Sequence, residues 1–215
     1  MGKDSRSAMQ SQKLSRALKP SWDGEFYTKY FCGPYDFLTG LTGWRTDISR
    51  HAVENLPKGK LLDVGCGTGF VLKKAKDEGF DVKGIDPSSG MLEKAKEKHG
   101  FENGDLIEAS ANSIPFKDNT FDVVLATGSL IHISDIDPTA KEMARVLKPG
   151  GRLRVIDHVQ PPKKSITQKL WKYFVTGTGY ILHPYDKIFQ KQSLKLVDHK
   201  ILARGGYLQL FDFEK

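Results

Sequence analysis

Short aliphatic and β-branched runs alternate with longer segments in which apolar residues recur every three or four positions, from about residue 59 onward. This alternation is typical of a parallel sheet whose strands are joined by covering helices, so we predict an α/β fold. Two late apolar runs flank a Gly-Gly turn and predict a terminal hairpin. Strands are expected at 60–64, 81–85, 105–109, 121–126 and 152–157, and the hairpin at 194–202 and 207–213.

Capping residues mark the ends of the intervening helices. Gly79 is the expected stop of the first helix, and Ser88 the expected N-cap of the second. Asp137 and Pro138 are the expected N-cap and first residue of a third helix, which Pro149-Gly150-Gly151 would end before the fifth strand. The expected inward-facing residues are Val71, Leu72, Ala75, Met91, Leu92, Ala95, Met143, Ala144 and Leu147.

The glycine-rich segment Asp63-Val64-Gly65-Cys66-Gly67-Thr68-Gly69 joins the first strand to the first helix. Its glycines put a backbone without side chains at the carboxyl end of the sheet, where open α/β sheets bind ligands. Amides at the start of the helix would suit a polar or anionic ligand group. No Gly-Lys-Ser/Thr follows, which excludes a Walker loop, and Phe70 occupies the third glycine position of the dinucleotide-binding form.

Asp86 ends the second predicted strand, about 20 residues after the first glycine, where an acid can accept hydrogen bonds from both hydroxyls of a ribose. A simple N-terminal cap for the next helix is the alternative role. Together with the glycine turn, Asp86 indicates a cofactor that carries a ribose.

Four segments in order resemble the class I S-adenosylmethionine (SAM)-dependent methyltransferases of type 11, which include quinone-biosynthesis C-methyltransferases and phospholipid N-methyltransferases. They are residues 61–69, 84–88, 114–116 with 121–124, and 145–151. The resemblance implies a Rossmann-like, seven-stranded, mostly parallel sheet with helices on both faces and an antiparallel C-terminal hairpin strand. It also implies methyl transfer from SAM, with S-adenosylhomocysteine as product.

The resemblance assigns a part of SAM to each motif. The glycine turn and Asp63 would hold the methionine part, Asp86 the ribose and residues 110–112 the adenine. Ser110 stands where many relatives have an acid that accepts from the adenine amino group, so a hydroxyl or the backbone at Ala111 would make that contact. The predicted cofactor-binding residues are Asp63, Gly65, Cys66, Gly67, Gly69, Asp86, Pro87, Met91, Ser110, Ala111, Asn112 and Thr127.

Transfer from a sulfonium is an in-line displacement, so holding the two partners in place can supply much of the rate. An amine acceptor needs only desolvation and alignment, whereas a phenol, hydroxyl or quinol carbon needs help with deprotonation. Thr127 and Ser129, at the end of the fourth predicted strand, are candidates for this role. His132 and His158 are candidates too, although either histidine could equally cap or pack a helix. The predicted catalytic residues are His132, Tyr30, Asp157 and His158.

Residues 1–56 are expected to form helices over the mouth of the sheet, ahead of a SAM-binding domain at 57–215 in which 163–192 is an insertion lining the substrate site. Both segments combine aromatic residues with lysines, a combination that suits an interfacial helix at anionic lipid or a site for a cationic amine. Plain core packing is the alternative. The aromatic residues are Trp22, Phe26, Tyr27, Tyr30, Phe31, Tyr35 and Phe37, then Trp171, Tyr173, Phe174, Tyr180 and Tyr185.

The net charge of +7 favours anionic partners, although charge runs are often only a solvated face. We expect a cytoplasmic protein, peripheral on the membrane through its basic N-terminal helix, because the chain shows no signal peptide and no apolar run long enough to cross a bilayer. Two separated cysteines and no Cys/His cluster predict no metal site. No specific nucleic-acid partner is expected, since RNA-binding signatures are missing.

The leading functional hypothesis is methyl transfer to a lipid or lipophilic small molecule, with a phospholipid amine headgroup favoured. A quinone-type C-methyltransferase or a soluble small-molecule N-, O- or S-methyltransferase is the close alternative, and Tyr35-Asp36 resembles a pair found in the quinone enzymes. An RNA methyltransferase, motivated by charge alone, and a non-catalytic SAM-binding scaffold are more distant alternatives.

Overall fold

A seven-stranded sheet with helices on both faces runs through residues 44–160, 181–202 and 207–215, which are the residues that the computed structural model describes. The expected fold is confirmed. In chain order the elements are α1 (Trp44–Val53), β1 (Lys60–Val64), α2 (Phe70–Asp77), β2 (Asp81–Asp86), α3 (Ser89–His99), β3 (Leu106–Glu108), β4 (Phe121–Thr127), a 3-10 turn (Leu130–His132), α4 (Ile136–Val146), β5 (Leu147–His158), α5 (Tyr185–Gln190), β6 (Lys195–Ile201) and β7 (Leu208–Glu214).

The strands lie in the order β3-β2-β1-β4-β5-β7-β6. The five strands β1 to β5 pair in parallel, and β7 runs antiparallel to both β5 and β6. The order reverses at β1, since its neighbours are β2 on one side and β4 on the other. Open α/β sheets bind ligands at such a switch point, beyond the carboxyl ends of the strands.

Alternate residues of the central strands supply two separate cores. Leu61 and Leu125 belong to the core beneath α1, α2 and α3, whereas Leu62 and Val124 belong to the core beneath α4 and α5. The predicted inward-facing residues are all buried. Both faces of the sheet are therefore covered, which is what near-continuous apolar strands require.

Two predicted boundaries around α4 are wrong. The N-cap is Asp135 rather than Asp137, and Pro138 falls in the first helical turn, where its missing N–H costs nothing. β5 begins at Leu147, which pairs with Phe121, and the chain then bulges before Arg152 pairs with Val123. Pro149-Gly150-Gly151 is therefore a bulge within β5, where Gly150 has a φ of 75°.

Helix α1 is the described part of the N-terminal segment, and it packs on a face of the sheet through Ile48, Ala52 and Val53. Residues 1–43 and 161–180, with the helices and aromatic residues predicted there, lie outside the described residues. None of the described helices combines the length and apolar character that crossing a bilayer requires.

Candidate active site

The glycine turn leaves β1 at the switch point and is fixed to β2 through its main chain. The N–H groups of Gly65 and Cys66 both donate to the carbonyl of Ile85, over 2.8 and 3.0 Å. Gly65, Gly67 and Gly69 have φ values of 74°, 51° and 75°, in the left-handed region that glycine adopts without strain. The alternating glycines thus make a tight turn between β1 and α2.

The three glycines have different surroundings. A Cβ on Gly65 would lie 2.4 Å from Cβ of Ser129, and a Cβ on Gly69 would lie 2.6 Å from Cε2 of Phe101. A Cβ on Gly67 would meet nothing within 4 Å. Gly65 and Gly69 are therefore required by protein packing, whereas Gly67 borders open space at the carboxyl ends of the strands.

Asp86 braces this turn from the end of β2. Its Oδ2 accepts from the N–H of Gly67 over 2.9 Å, and its Oδ1 accepts from the N–H of Ser88 over 2.9 Å. Desolvation raises the pKa of Asp86, while the two hydrogen bonds counteract that shift. Since each carboxylate oxygen has further lone pairs, Asp86 keeps acceptor capacity for a ligand. Asp86 is not the N-cap of α3. That N-cap is Ser88, as predicted, and its Oγ accepts from the N–H of Met91 over 3.3 Å.

Asp63 lies at the base of the turn, with 2% of its surface exposed. Its Oδ1 is buried and has no hydrogen-bond partner among the described residues. Burial, together with the charge of Asp86, raises the pKa of Asp63 to about 7. A buried carboxylate oxygen without a donor is costly, and a ligand that brings a cationic donor would remove that cost.

The predicted adenine loop follows β3 and is braced by α4. Oγ of Ser110 accepts from the N–H of Asn112 over 3.3 Å, so this hydroxyl already serves its own turn. Oδ1 of Asn112 accepts from the hydroxyl of Thr139. Arg145 donates to the carbonyls of Ile114 and Phe116, and it also pairs with Glu142 and Asp118. Arg145, in the 145–151 motif, therefore supports the segment that follows this loop.

Cys66 and Thr127 fill the space around the turn rather than project from it. The Cys66 thiol packs beside Gly84, where a Cβ would lie 2.8 Å from Sγ. Burial raises the pKa of this thiol well above its ordinary value, so it stays protonated and apolar in character. Thr127, at the end of β4, pairs with Ile156 and is half-buried.

His132 and His158 follow the ends of β4 and β5, next to the switch point. His132 ends the 3-10 turn, where its side chain stays accessible, and His158 is the last residue of β5, half-buried and stacked on Tyr207. Desolvation lowers the pKa of both imidazoles to about 4, and repulsion from His158 adds to the shift of His132. Both side chains are therefore neutral near neutral pH, which is the state that accepts a proton.

Asp157 is fully buried, at 0% exposure, and accepts from four protein groups. Its Oδ2 accepts from the N–H groups of Leu130 and Ile131 and from the hydroxyl of Tyr185, over 3.1, 3.2 and 3.2 Å. Its Oδ1 accepts from the N–H of His158 over 2.7 Å. Burial raises its pKa to about 7. This geometry suits a residue that anchors the 3-10 turn rather than one that contacts an acceptor.

Two residues of this network, His183 and Tyr185, were not predicted from the sequence as site residues. The Nε2 of His183 donates to the carbonyl of Ile133 over 2.9 Å. The sequence offered little signal for either contact, because Tyr185 lies 28 positions from Asp157 and His183 lies 50 from Ile133. Ser129, in contrast, follows β4 directly, and its hydroxyl donates to the carbonyl of Val64 over 2.8 Å, which joins the ends of β4 and β1.

Comparison with known proteins places the chain in a family. A family model described as a methyltransferase domain matches residues 62–155. The demethylmenaquinone methyltransferase of Lysinibacillus sphaericus is 35% identical over 167 residues, which are 73% of this chain and 69% of the relative. The chain belongs to the class I SAM-dependent methyltransferases.

Two further similarities describe the extent of the match. The demethylmenaquinone methyltransferase of Anoxybacillus flavithermus is 37% identical over 155 residues, which are 69% of this chain but only 63% of that relative's length. A solved structure of a SAM-dependent methyltransferase from Thermotoga maritima superposes with a TM-score of 0.72 at 19% identity. It covers 90% of this chain and 99% of that one, and at this identity it supports the fold alone.

The residues of this methyltransferase fit SAM, the cofactor of its family. The partnerless Oδ1 of Asp63 would accept from the ammonium group of the methionine part, and the open face of Gly67 leaves room for the ligand beside the main chain. Asp86 would accept from the ribose hydroxyls. Pro87 follows Asp86 and is exposed, whereas Met91 in the first turn of α3 is buried, and their contact with the cofactor stays a prediction.

Two predictions concern groups beyond this cradle. Among the described residues, no three His, Cys, Asp or Glu side chains come together as a metal site would require. The predicted catalytic residue Tyr30 lies outside the described residues, so its place relative to His132 stays a prediction.

Proposed function

We propose that this methyltransferase transfers the methyl group of SAM to a ring carbon of a lipophilic quinol. The observation that carries the proposal is the pair of imidazoles, His132 and His158, held neutral beside the cofactor cradle. An amine that is already neutral needs no such base, whereas a quinol hydroxyl must lose its proton before the ring carbon becomes strongly nucleophilic. The names of the demethylmenaquinone methyltransferases of similar sequence support the same acceptor class.

The residues would divide the work between binding and proton transfer. Bound SAM supplies an electrophilic methyl group on a sulfonium, which leaves as a neutral thioether. Asp63, Gly67 and Asp86 would fix the position of that donor, and alignment of the acceptor then supplies much of the rate. His132 would accept the proton of the quinol hydroxyl, with His158 as the neighbouring alternative. The hydrogen displaced from the methylated ring carbon would then move as a proton to the ring oxygen, which restores the aromatic quinol. Asp157 would hold the turn that carries His132.

The phospholipid amine acceptor, which the sequence favoured, has less support than the quinone alternative. The relatives of similar sequence carry quinone-related names, and none of the relatives named here is a phospholipid methyltransferase. A lipophilic acceptor remains common to both hypotheses.

A transfer assay with labelled SAM separates these acceptors. The substrates are a demethylmenaquinol with a short prenyl chain, its oxidised quinone, and vesicles containing phosphatidylethanolamine. We expect label in the quinol only, because the oxidised ring is not a nucleophile. His132→Asn should lower kcat by about 10² or more, while His199→Asn, on the edge strand β6, should leave it unchanged. Label in phosphatidylethanolamine without label in the quinol would refute the proposal.

We also propose that the basic N-terminal residues hold the protein on anionic membrane, where a lipophilic acceptor resides. This proposal rests on five basic residues that lie outside the described part of the chain: Lys3, Arg6, Lys13, Arg16 and Lys19. Sedimentation with anionic vesicles, with and without residues 1–20, should show binding that the deletion weakens. Absence of binding by the full chain would exclude it.

A further inference from the structure

The chain returns from residues 161–180 directly onto the turn that carries His132. The N–H of Ile181 donates to the carbonyl of Ile131 over 2.9 Å. Two residues later, Nε2 of His183 donates to the carbonyl of Ile133 over 2.9 Å, which fixes the proton of that imidazole on Nε2. Residues 181–183 are thus held to the 130–133 turn at two points, through the main-chain N–H of Ile181 and through the imidazole of His183.

A third contact comes from the first residue of α5. The hydroxyl of Tyr185 donates to Oδ2 of Asp157, the same oxygen that accepts from the N–H groups of Leu130 and Ile131. Tyr185 and Asp157 are both fully buried, and the Tyr185 ring packs edge-on against Phe211 of β7. Oδ2 of Asp157 therefore accepts hydrogen bonds both from the turn and from Tyr185.

These contacts occupy the main-chain polar groups on both sides of His132. The donors at Leu130 and Ile131 point to Asp157, and the acceptors at Ile131 and Ile133 receive Ile181 and His183. His132 lies in this turn, and the residues on either side of it are hydrogen-bonded to β5 and to residues 181–185. The direction of this side chain accordingly depends on a segment that arrives from the insertion.

We propose that His183 and Tyr185 are positioning residues, which hold the 130–133 turn so that His132 faces the acceptor. This inference rests on the proposed function for the identity of the base, and it adds a coupling between that base and the insertion. A loss of either contact would let the turn move toward solvent and carry His132 with it. The effect differs from that of an ordinary core residue, which would lower stability without changing the surroundings of one imidazole.

The surroundings of His132 provide the readout. Desolvation is the main cause of its low pKa, and His158 on β5 adds a smaller repulsive contribution. Asp157 anchors the turn and its oxygens are engaged by the four donors already described, and Asp135 is a second carboxylate three residues after His132, at the start of α4. Displacement of the turn away from β5 would separate the His132 imidazole from His158 and from the protein packed around it, and would therefore raise the pKa of His132 toward the ordinary value of about 6.5.

The test combines histidine NMR titrations with steady-state kinetics on the full chain. Tyr185→Phe keeps the ring and removes the hydroxyl, and His183→Leu removes the donor to Ile133. His183→Gln retains a donor and serves as the conservative rescue. His51→Asn is the matched control, since it removes an imidazole hydrogen bond to Glu54 at α1, which packs on the opposite face of the sheet from α5. The His132 signal is assigned from its loss in His132→Asn.

We expect Tyr185→Phe and His183→Leu to raise the pKa of His132 and to lower kcat by about tenfold, with the KM for SAM within about twofold. His183→Gln and His51→Asn should resemble the wild type in both measurements. An unchanged His132 titration in both Tyr185→Phe and His183→Leu would overturn the inference. A changed titration in a protein that methylates no quinol would support the positioning of His132 and overturn the proposed function instead.

Discussion

The main-chain N–H of Gly67 donates to Oδ2 of Asp86 over 2.9 Å, so the open tip of the glycine turn is held by the carboxylate that ends β2. Replacement of Asp86 therefore affects both the ribose contact and the shape of the turn. We expect Asp86→Asn to raise the Kd for SAM by about 10- to 100-fold, since hydrogen bonds to a charged group are worth about 1.5–3 kcal/mol. Calorimetry measures the change. Asp81→Asn, at the exposed start of the same strand, should leave the Kd unchanged, and equal affinities for all three proteins would reject the assignment.

The glycines of the turn should separate cofactor binding from stability. Gly67→Ala adds a methyl group in open space at a left-handed φ, so it should cost about 1–2 kcal/mol of unfolding free energy and raise the Kd for SAM at least about tenfold. Gly69→Ala meets Phe101 and should cost about 3 kcal/mol because overpacking adds to the backbone strain. Urea unfolding and calorimetry measure the two effects.

Gly150 supplies the matched control for Gly67. It also has a left-handed φ and open space around the added Cβ, but it lies in the bulge at the opposite end of the sheet. Gly150→Ala should lose a similar unfolding free energy without any change in SAM affinity. A parallel loss of affinity in Gly150→Ala would mean that Gly67 acts through global stability only.

Asp63 should make both stability and cofactor affinity depend on pH. Its pKa is raised from about 3.9 in the unfolded chain to about 7 in the folded one, so the folded state binds the extra proton between these values. The cofactor-free protein should therefore lose stability as pH rises from about 4 to 7. SAM affinity should increase from pH 6 to 8, because the ammonium group of the ligand pairs with the ionised carboxylate.

Thermal unfolding and calorimetry across this pH range check the sign. Asp63→Asn should abolish the rise in affinity between pH 6 and 8. Part of the pH dependence of stability should persist in that variant, because the pKa of buried Asp157 is also raised to about 7. An affinity that rises equally in Asp63→Asn would show that another group binds the ammonium.

Arg154 and Asp212 should contribute to stability through the position of α1. Nη2 of Arg154 donates to Oδ2 of Asp212 over 2.6 Å, and its Nη1 donates to the carbonyls of His51 and Glu54 at the end of α1, both over 2.8 Å. These carbonyls lack helical partners, so the buried guanidinium both caps the helix and joins it to the sheet.

Removal of one partner leaves the other buried and uncompensated. Arg154→Met should lower the free energy of unfolding by about 3–5 kcal/mol, as measured by urea denaturation. Asp212→Asn should cost less, because the amide oxygen can still accept from Nη2 of Arg154, whose Nη1 keeps its two carbonyl acceptors. A loss below about 1 kcal/mol for Arg154→Met would mean that α1 is held by its apolar contacts alone.

The features that were predicted correctly are those that short stretches of the sequence specify. Apolar runs gave the five parallel strands and the terminal hairpin, and glycine spacing with Asp86 gave the cofactor cradle. The start of α4 was misplaced because Asp135 and Asp137 offer equivalent capping side chains two residues apart, and Asp135 makes no side-chain cap contact in the structure. The extension of β5 to Leu147 was missed because a Pro-Gly-Gly segment ordinarily ends an element.

The long-range polar contacts could not be predicted in this way. Asp157 ends β5 as expected, but its complete burial and its hydrogen bond to Tyr185 depend on how the segment after residue 180 folds back. The pair formed by Arg154 and Asp212 joins residues 58 positions apart. No periodicity marks such pairs, since each side chain on its own is compatible with a solvent-exposed site.

The placement of β7 has a consequence for the order of folding. β7 lies between β5 and β6, and among the described strands it is the one that pairs with β6. β6 therefore cannot join the sheet before a later part of the chain arrives, and contacts such as that between Arg152 and Asp212 must close a separation of 60 positions. Such closures slow folding. Until they form, the parallel half of the sheet, with its cofactor cradle, must persist with an open edge at β5.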